Sequence, residues 1–286
     1  MTAFAFQAAI EVVKETELLA LGPSPNLIPE IFEIYFKFVN AAFYAKLEKD
    51  YSAKFRDRLS TLGESAAEHI GDFFHAAVAA SGGRFPLQSI LPRIVETLQT
   101  PLKQKYACFK QSNWRVTINV LVKVLKEGIP LVRETPNAVE LFSQFWTRLA
   151  VVLEHFLFPE SVQEQRQEDR MADEAVDCHI IELLREEVLP FPNAVPSSFI
   201  TKIVVLLNKG SIHSSIQLNE ECSGSVGLRE GSYRKFGRGL LISIFIQAPS
   251  KGRGLGMKNW RKVIVCIMCV CDRGGVIPVV CLHVYM

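Results

Sequence analysis

The sequence predicts an all-α protein built as an α-solenoid, an array in which armadillo/HEAT-like helix pairs stack on one another. Through most of residues 1–210, apolar residues recur at three- and four-residue spacing, which is the period of a helix buried on one side. Pro or Gly separates these stretches at short intervals, and strand-type alternation is essentially absent before residue 240. No clean sequence repeat is detectable, which favours degenerate helical units over a strict repeat family.

The first strongly patterned helices are predicted between residues 28 and 105. Ile28–Lys49 carries a broad apolar stripe, and Glu64–Ser81 follows with apolar residues at helical spacing. A Gly-Gly pair directly after Glu64–Ser81 is a suitable helix stop, because glycine adopts the left-handed conformation easily. A third helical segment covers Leu87–Lys105, where Pro92 and Pro101 allow two shorter helices instead of one.

Two further helices are predicted before residue 160. The first covers Trp114–Lys126 and is expected to end at Gly128 and Pro130. Asn137 stands three residues before Glu140, a spacing that predicts a capped start for one long helix. The inward-facing residues of that helix are predicted to be Leu141, Phe142, Phe145, Leu149, Val152 and Phe156.

The last part of the helical region is predicted to contain two more helices and a loop. Glu160–Arg170 is charge-rich and predicts a solvated linker. Helical spacing then resumes over Val176–Val188, stops at Pro190 and restarts over Phe199–Leu207. Asn208–Gly227 is polar and predicts a loop.

Charge and cysteine content divide the chain into two compositions. The formal net charge is +2, but residues 229–286 carry +8 and residues 1–228 carry −6. Four of the seven cysteines also fall in that basic end. The composition excludes disorder for most of the chain. Without a secretory signal or an apolar run of about 18–20 residues, we expect a cytoplasmic protein with reduced thiols.

Candidate catalytic groups are weak throughout. Asp177-Cys178-His179 places three reactive residue types together, but neighbouring helical positions point about 100° apart and cannot form a triad. Ser211 to Ser215, with His213 among them, is explained more simply as a polar loop. His69 and His75 lie six residues apart, which places them on different faces of a helix rather than at one metal. The sequence therefore predicts no enzyme, no cofactor and no small-molecule substrate.

The basic end offers an alternative function. Cys266-x-x-Cys269-x-Cys271, with Cys281 and His283, supplies soft ligands for zinc, but the flanking run is apolar and no second Cys-x-x-Cys pair is present. Gly252–Gly256 imitates a phosphate-binding loop without completing a known pattern. The basic residues that could touch nucleic acid are Arg234, Lys235, Arg238, Lys251, Arg253, Lys258, Arg261 and Lys262. A zinc- or nucleic-acid-binding module carried by this basic, Cys-rich end is therefore the alternative hypothesis for the function.

Several stretches resemble a known family. Lys105–Trp114, Leu131–Arg133, Phe156–Phe158, Glu187–Pro190 and especially Leu207–Ser214 are similar to the C-terminal region of the Mon-two protein family. The resemblance is clearest over residues 105–215. These proteins are very large cytosolic scaffolds related to the large Arf exchange factors, without the catalytic exchange domain. The resemblance independently implies an armadillo-like helical fold.

The resemblance also implies a biological role. It implies peripheral association with Golgi (trans-Golgi network) and endosomal membranes, and a non-enzymatic part in endosome-to-Golgi transport. The expected partners are a Dopey-family protein and flippase-linked trafficking machinery, with no nucleic acid. We predict an interaction loop, whose residues are Asn208, Lys209, Gly210, Ser211, Ile212 and His213.

The resemblance and the composition together predict two regions. Residues 1–247 form the armadillo-like helical domain, and residues 248–286 form a divergent, basic, Cys-rich tail without stable order. The chain would then correspond to a C-terminal fragment of a family member. After about Gln247 its sequence departs from that of the family.

Overall fold

The structure is a computed structural model that describes residues 3–43, 52–81, 85–159 and 167–206. Within these ranges every regular element is helical, so the predicted all-α class is confirmed. The chain divides into two compact units, Met1–Glu164 and Gln165–Met286, and each is described by itself. The predicted boundary after Gln247 and the predicted tail lie outside the described residues.

The first unit contains seven α-helices within its described residues. They are α1 (Ala3–Leu21), α2 (Ile28–Phe43), α3 (Ala53–Ser81), α4 (Leu87–Gln104), α5 (Gln111–Glu134), α6 (Ala138–Leu141) and α7 (Ser143–Leu157). Short 3₁₀ turns cover Pro25–Leu27, before α2, and Lys105–Ala107, between α4 and α5. The helix predicted over residues 28–49 is therefore described as far as residue 43. The helix predicted over residues 64–81 begins at residue 53, eleven residues before its predicted start.

The helices of this unit form two stacked layers. One layer consists of α1, α3 and α5 side by side, and the other of α2, α4 and α7. The layers are joined where α2 packs against α1 and α3, and where α4 packs against α5. This arrangement, in which each helix contacts mainly its neighbours along the array, is the α-solenoid packing that the sequence predicts. The largest fully buried side chains include Trp114, Trp146, Tyr35, Phe32, Phe36, Phe73 and Phe74.

Aromatic side chains fill the contact between the layers. The ring of Phe32 on α2 lies 5.0 Å from that of Phe73 on α3 and 6.3 Å from that of Phe85, just before α4. Phe85 also meets Phe74 edge to face at 5.4 Å. Such tilted and edge-on arrangements are the favourable ones for aromatic pairs, so these contacts add specificity to the area they bury.

The helix end predicted at Gly128 and Pro130 is wrong, and of the two arrangements left open at Pro92 and Pro101 the single helix is the one observed. α4 is one continuous helix with Pro92 and Pro101 inside it, and α5 continues through Gly128 and Pro130 to Glu134. A Cβ at Gly128 would lie 3.1 Å from a Leu91 methyl group, so this glycine allows α4 and α5 to approach closely instead of ending a helix. The buried apolar faces of both helices outweigh the hydrogen bonds that the prolines remove.

The capped long helix predicted from Asn137 is also wrong. Asn137 adopts a left-handed conformation (φ 56°) and its side chain caps nothing; its carbonyl oxygen accepts bonds from Glu140 and Leu141 instead. The one-turn α6 then ends, and Phe142 begins α7 by accepting a bond from the Trp146 amide. Because of this break Leu141 is exposed, whereas the other five predicted inward residues are buried.

The second unit contains α8 (Gln167–Leu183) and a helical segment at residues 197–206, which we call α9. The start of α8 at Gln167 corrects the predicted linker over Glu160–Arg170; residues 160–166 lie outside the described part. After α8 the chain forms one π-helical turn, Leu184–Val188, and a 3₁₀ turn, Pro192–Ala194. The buried apolar residues here are Ile180, Ile181, Leu183, Leu184, Val188, Leu189, Val195, Phe199, Ile200, Ile203, Val204 and Leu206.

Ion pairs connect neighbouring helices on the outer surface of each layer of the first unit. Glu33 on α2 pairs with Arg93 on α4 at 2.9 Å, and Glu96 on α4 pairs with Arg148 on α7 at 2.6 Å. In the other layer, Lys123 on α5 reaches Asp72 on α3 at 2.6 Å. These pairs are largely exposed, so each contributes at most about 1 kcal/mol, and they serve mainly to match the registers of adjacent helices.

A small titratable cluster lies where α1, α2 and α3 meet. The Tyr35 hydroxyl donates a 2.7 Å hydrogen bond to Glu17 Oε1, and the Tyr35 ring lies 5.7 Å from the His69 ring. Burial raises the pKa of Glu17 and of Tyr35. Burial, together with the charge of Lys14, lowers the pKa of His69, whose Nε2 is buried without a hydrogen-bond partner. The cluster therefore favours neutral side chains at all three positions.

Close approach of α2 and α3 predicts the effect of one substitution. A Cβ at Gly63 would lie 2.6 Å from Ala42 Cβ and 2.8 Å from Phe43 Cζ, and the methyl group of Ala42 cannot rotate away. We expect Gly63→Ala to lower the free energy of unfolding by about 1–3 kcal/mol, despite the better helix propensity of alanine. The measurement is urea unfolding followed by circular dichroism at 222 nm.

Gly71→Ala is the matched control, since its Cβ would lie no closer than 3.3 Å to the Val120 side chain and 3.7 Å to Lys123 Cδ. We expect its free energy of unfolding to stay within about 1 kcal/mol of the parent chain. Equal stability of the two variants would contradict close packing at Gly63.

The depressed pKa of His69 predicts a pH dependence of stability. The unfolded chain takes up a proton at His69 as the pH falls through about 6.5, whereas the folded chain does so only at lower pH. The folded state is therefore stabilised above this window and loses that stability on acidification. Glu17, whose pKa is raised, has the opposite effect nearer its ordinary value of about 4.5.

We expect His69→Phe, which keeps a ring beside Tyr35, to flatten the loss of thermal stability between about pH 7.5 and pH 6. Glu17→Gln should keep that loss, since it leaves the histidine in place. Thermal unfolding at a series of pH values measures both. An unchanged slope in His69→Phe would show that another group carries the effect.

Candidate interaction site

The interaction loop predicted from the sequence lies outside the described residues. This applies to Asn208, Lys209, Gly210, Ser211, Ile212 and His213, and also to the cysteines and basic residues of the predicted zinc- or nucleic-acid-binding tail. The structure therefore gives no geometry for these groups, and their proposed roles stay predictions.

The described candidates for chemistry do not converge on one site. Along α8, Asp177 is buried, Cys178 is half-buried and His179 is exposed, which is the divergence expected of three successive helical residues. On α3, His69 packs inward beside Tyr35, whereas His75 is exposed and contacts the Glu127 carboxylate at 3.2 Å. Across the described residues, no group of three or more His, Cys, Asp or Glu side chains is placed to hold a metal ion.

The most unusual described feature is the connection between α4 and α5, residues 105–114, which we call the α4–α5 corner. Lys105 at its start is only 1% exposed and has a positive φ of 22°, a value that side chain-bearing residues rarely adopt. Its Nζ donates a 3.2 Å hydrogen bond to the carbonyl oxygen of Phe156. That carbonyl lies in the last turn of α7, where helix carbonyls have no intrahelical donor. Lys105 therefore caps the C-terminal end of α7.

Three aromatic rings enclose the Lys105 ammonium group. Nζ lies 4.1 Å from the ring centroid of Phe156, 5.1 Å from that of Tyr106 and 5.2 Å from that of Trp114. Ring faces carry negative charge density, and the C-terminal end of a helix is also negative, so both favour a cation at this point. The rings support each other, since Trp114 packs against Tyr106 and Phe156 at 6.1 Å and 5.6 Å.

Further contacts hold the inner side of the corner in place. The Cys108 thiol is buried and donates to the Pro101 carbonyl oxygen at 3.3 Å, and burial raises its pKa to about 12. This thiol is thus neutral at physiological pH and poorly suited to nucleophilic chemistry. The Trp114 indole donates to Gln111 Oε1 at 2.8 Å, which satisfies its polar atom inside the core. The inner side of the corner is therefore structural.

The outer side of the corner presents an aromatic ring to solvent. Phe109 is 47% exposed, and the Arg56 guanidinium carbon lies 5.0 Å from its ring centroid. Beside it, Lys110 pairs with Asp57 at 2.6 Å, which ties the corner to the first turns of α3. An exposed aromatic ring with a stacked arginine on a fixed backbone is the kind of residue pair that dominates binding energy at protein interfaces.

Sequence reasoning missed this site for a physical reason. Lysine is almost always exposed, so Lys105 was predicted as the last residue of a helix and as part of the Lys105–Trp114 resemblance, but not as a buried contact. The sequence signal that could have indicated the site was the position of Lys105 among Tyr106, Phe109 and Trp114 in one short segment.

Within the described residues, no helix is both long enough and apolar enough to cross a membrane.

Capping of α7 by Lys105 predicts the effect of removing its charge. We expect Lys105→Met, which keeps the length of the side chain, to lower the free energy of unfolding by about 1–3 kcal/mol, because the Phe156 carbonyl loses its donor. Amide hydrogen exchange should also speed up in the last turn of α7. Lys103→Met, at an exposed position of α4, is the control and should change stability by less than about 0.5 kcal/mol. Equal stability of both variants would rule out a capping role.

Comparisons with known proteins place the corner within a family match. The family model described as "C-terminal region of Mon2 protein" matches residues 62–247, well over half of the chain. This match includes α4, α5, α7 and the whole α4–α5 corner. No solved structure matches the chain.

Several curated relatives carry the same name. The chain is 45% identical over 135 residues to "Protein MON2 homolog" of Drosophila melanogaster, which is 46% of this chain and 8% of the relative. It is 34% and 33% identical, over half of its own length, to the proteins of that name from Xenopus laevis and Homo sapiens, again 8% of each relative. The chain thus spans about one twelfth of the length of these relatives. From the family match and these identities, the chain belongs to the family defined by the C-terminal region of the Mon2 protein, as the sequence resemblance implied.

Proposed function

We propose that this chain is a non-enzymatic helical scaffold that acts in endosome-to-Golgi transport through protein–protein contacts. The observation that carries the proposal is its membership of the Mon2 C-terminal family over residues 62–247, on a helical array of the solenoid type. Such arrays present extended surfaces to partners and build their specificity from exposed side chains on rigid helices.

The described side chains support a binding role over a catalytic one. The buried Cys108 thiol, the inward His69 and the exposed His75 are each accounted for by packing or by a single ion pair. The α4–α5 corner instead combines a rigid inner side with an exposed aromatic ring. Fold and site together therefore favour contact with macromolecules, and the alternative module in residues 248–286 gains no support from the comparisons.

The family resemblance is what supports the proposed partners and location. We propose that the chain binds a Dopey-family protein, linked to an aminophospholipid flippase, at the cytoplasmic surface of Golgi and endosomal membranes. The chain corresponds to about one twelfth of the length of its curated relatives, so its partners and location are proposals that rest on the family resemblance.

Co-purification tests this function. We expect the tagged full-length chain to retain a Dopey-family protein from cell extract, and Phe109→Ser to reduce the retained amount about tenfold or more, the effect of losing a strong interface residue. Val151→Ser, at an exposed apolar position of α7, is the matched control and should leave retention unchanged. Circular dichroism checks that both variants fold.

Failure of the parent chain to retain any Dopey-family or other Golgi and endosomal trafficking protein would contradict the proposed function. Retention that Phe109→Ser leaves unchanged would instead exclude the α4–α5 corner as the contact surface and leave the scaffold function standing.

A further inference from the structure

α1 has an apolar side that no other described helix of the first unit covers. Over residues 8–21, the part of α1 whose side chains are described, the buried residues are Ile10, Val13 and Ala20, on the side that packs against α2 and α3. On the opposite side, Val12 is 63% exposed and Leu19 is 51% exposed. Because they are seven residues apart, these two side chains lie on one line along the helix. A neighbouring position, Leu18, is 70% exposed and extends the apolar area.

This distribution is unusual for a helix at the surface of a protein. A surface helix normally has an apolar stripe toward the core and a polar face toward water, whereas a helix that is apolar on all sides is normally covered on all sides. Three of the most exposed large apolar side chains of the described residues belong to α1. We call Val12, Leu18, Leu19 and the adjacent Glu11 and Glu15 the α1 outer face.

The charges of the α1 outer face are acidic. Glu15 is exposed between Val12 and Leu19, and Glu11, one turn before it, is also exposed. The only described cation of α1 is Lys14, which pairs with Glu11 at 3.5 Å. A second copy of this chain would bring the same glutamates together, and like charges at such a contact weaken association. Charge complementarity therefore favours a basic partner.

The contact between α3 and α5 shows how this layer matches charge. The outer edge of α3 supplies Asp57 and Asp72, and the corner and α5 supply Lys110 and Lys123, which pair with them at 2.6 Å each. Two aspartates of α3 thus lie beside lysines from the neighbouring elements, whereas His75 on α3 lies beside Glu127 on α5. A helix lying along the free side of α1 would continue that pattern if its apolar stripe were flanked by Lys or Arg.

We propose that the α1 outer face is a docking site for a basic amphipathic helix of a partner protein. The apolar stripe of the partner covers Val12, Leu18 and Leu19, and its flanking Lys or Arg side chains pair with Glu11 and Glu15. The proposal rests on the proposed scaffold function, because it specifies the chemistry of one partner that the scaffold binds.

Two synthetic helical peptides serve as probes. They share one stripe of Leu and Ile and differ only in the flanking positions, which carry Lys in one peptide and Glu in the other. Fluorescence anisotropy with the full-length chain should give at least tenfold tighter binding for the Lys peptide. Glu15→Lys should reduce that preference, and raising the salt concentration should do the same because exposed charges are screened.

Substitutions locate the binding surface. The double variant Val12→Glu and Leu19→Glu should weaken binding of the Lys peptide at least tenfold, whereas Val151→Glu on α7 should leave it unchanged. Because the substituted side chains point to solvent, circular dichroism should report parent-like helicity for each variant. Binding that the double variant leaves unchanged would overturn the proposal.

Other outcomes also decide the question. Equal binding of both peptides would overturn the charge argument, and a dimer in sedimentation that the double variant abolishes would assign the face to a second copy instead. Co-purification of a Dopey-family protein separates this inference from the proposed function. If that protein is retained while neither peptide binds, the α1 docking site fails and the scaffold function stands.

Discussion

The structure of the first unit depends on how closely helices of its two layers approach each other. α2 approaches α3 at Gly63, and α4 approaches α5 at Gly128, so that a single added methyl group would meet neighbouring side chains at 2.6 Å and 3.1 Å, respectively. Close approach brings the rings of Phe32, Phe73 and Phe74 into one cluster between the layers. Well-packed interiors tolerate little change of volume, so this contact sets the positions of all helices joined through it.

The α4–α5 corner extends that constraint toward α7. A buried lysine is costly unless its charge is compensated, and the Phe156 carbonyl and three rings supply the compensation at Lys105. The chain cannot leave α4 in another direction without exposing this polar contact or losing the ring packing. As a result, the backbone that carries Phe109 is held from the inside, and the exposed ring needs little ordering when a partner binds.

The sequence predicted the helical class and most of the buried faces, because those follow from spacing alone. The inward residues of α7 illustrate this, as does the stripe from Ile28 to Phe43. It could not predict whether Pro92 or Gly128 would end a helix, since tertiary packing decides against the local preference. It also could not predict the contacts of Lys105, or the meeting of Glu17, Tyr35 and His69, because each depends on which helices are neighbours. Site geometry of this kind arises only with the stacking of the layers.

Ion pairs between neighbouring helices match part of the surface charge of the first unit. Pairs such as Glu33–Arg93 and Asp72–Lys123 place opposite charges side by side on both layers, so these particular charges offer little net attraction to a partner. The α4–α5 corner and the α1 outer face differ, since each exposes large apolar groups beside charges. If the chain binds partners as proposed, these two positions would select them by the spacing and shape of their contact residues. Long-range attraction would then contribute mainly at the acidic α1 outer face.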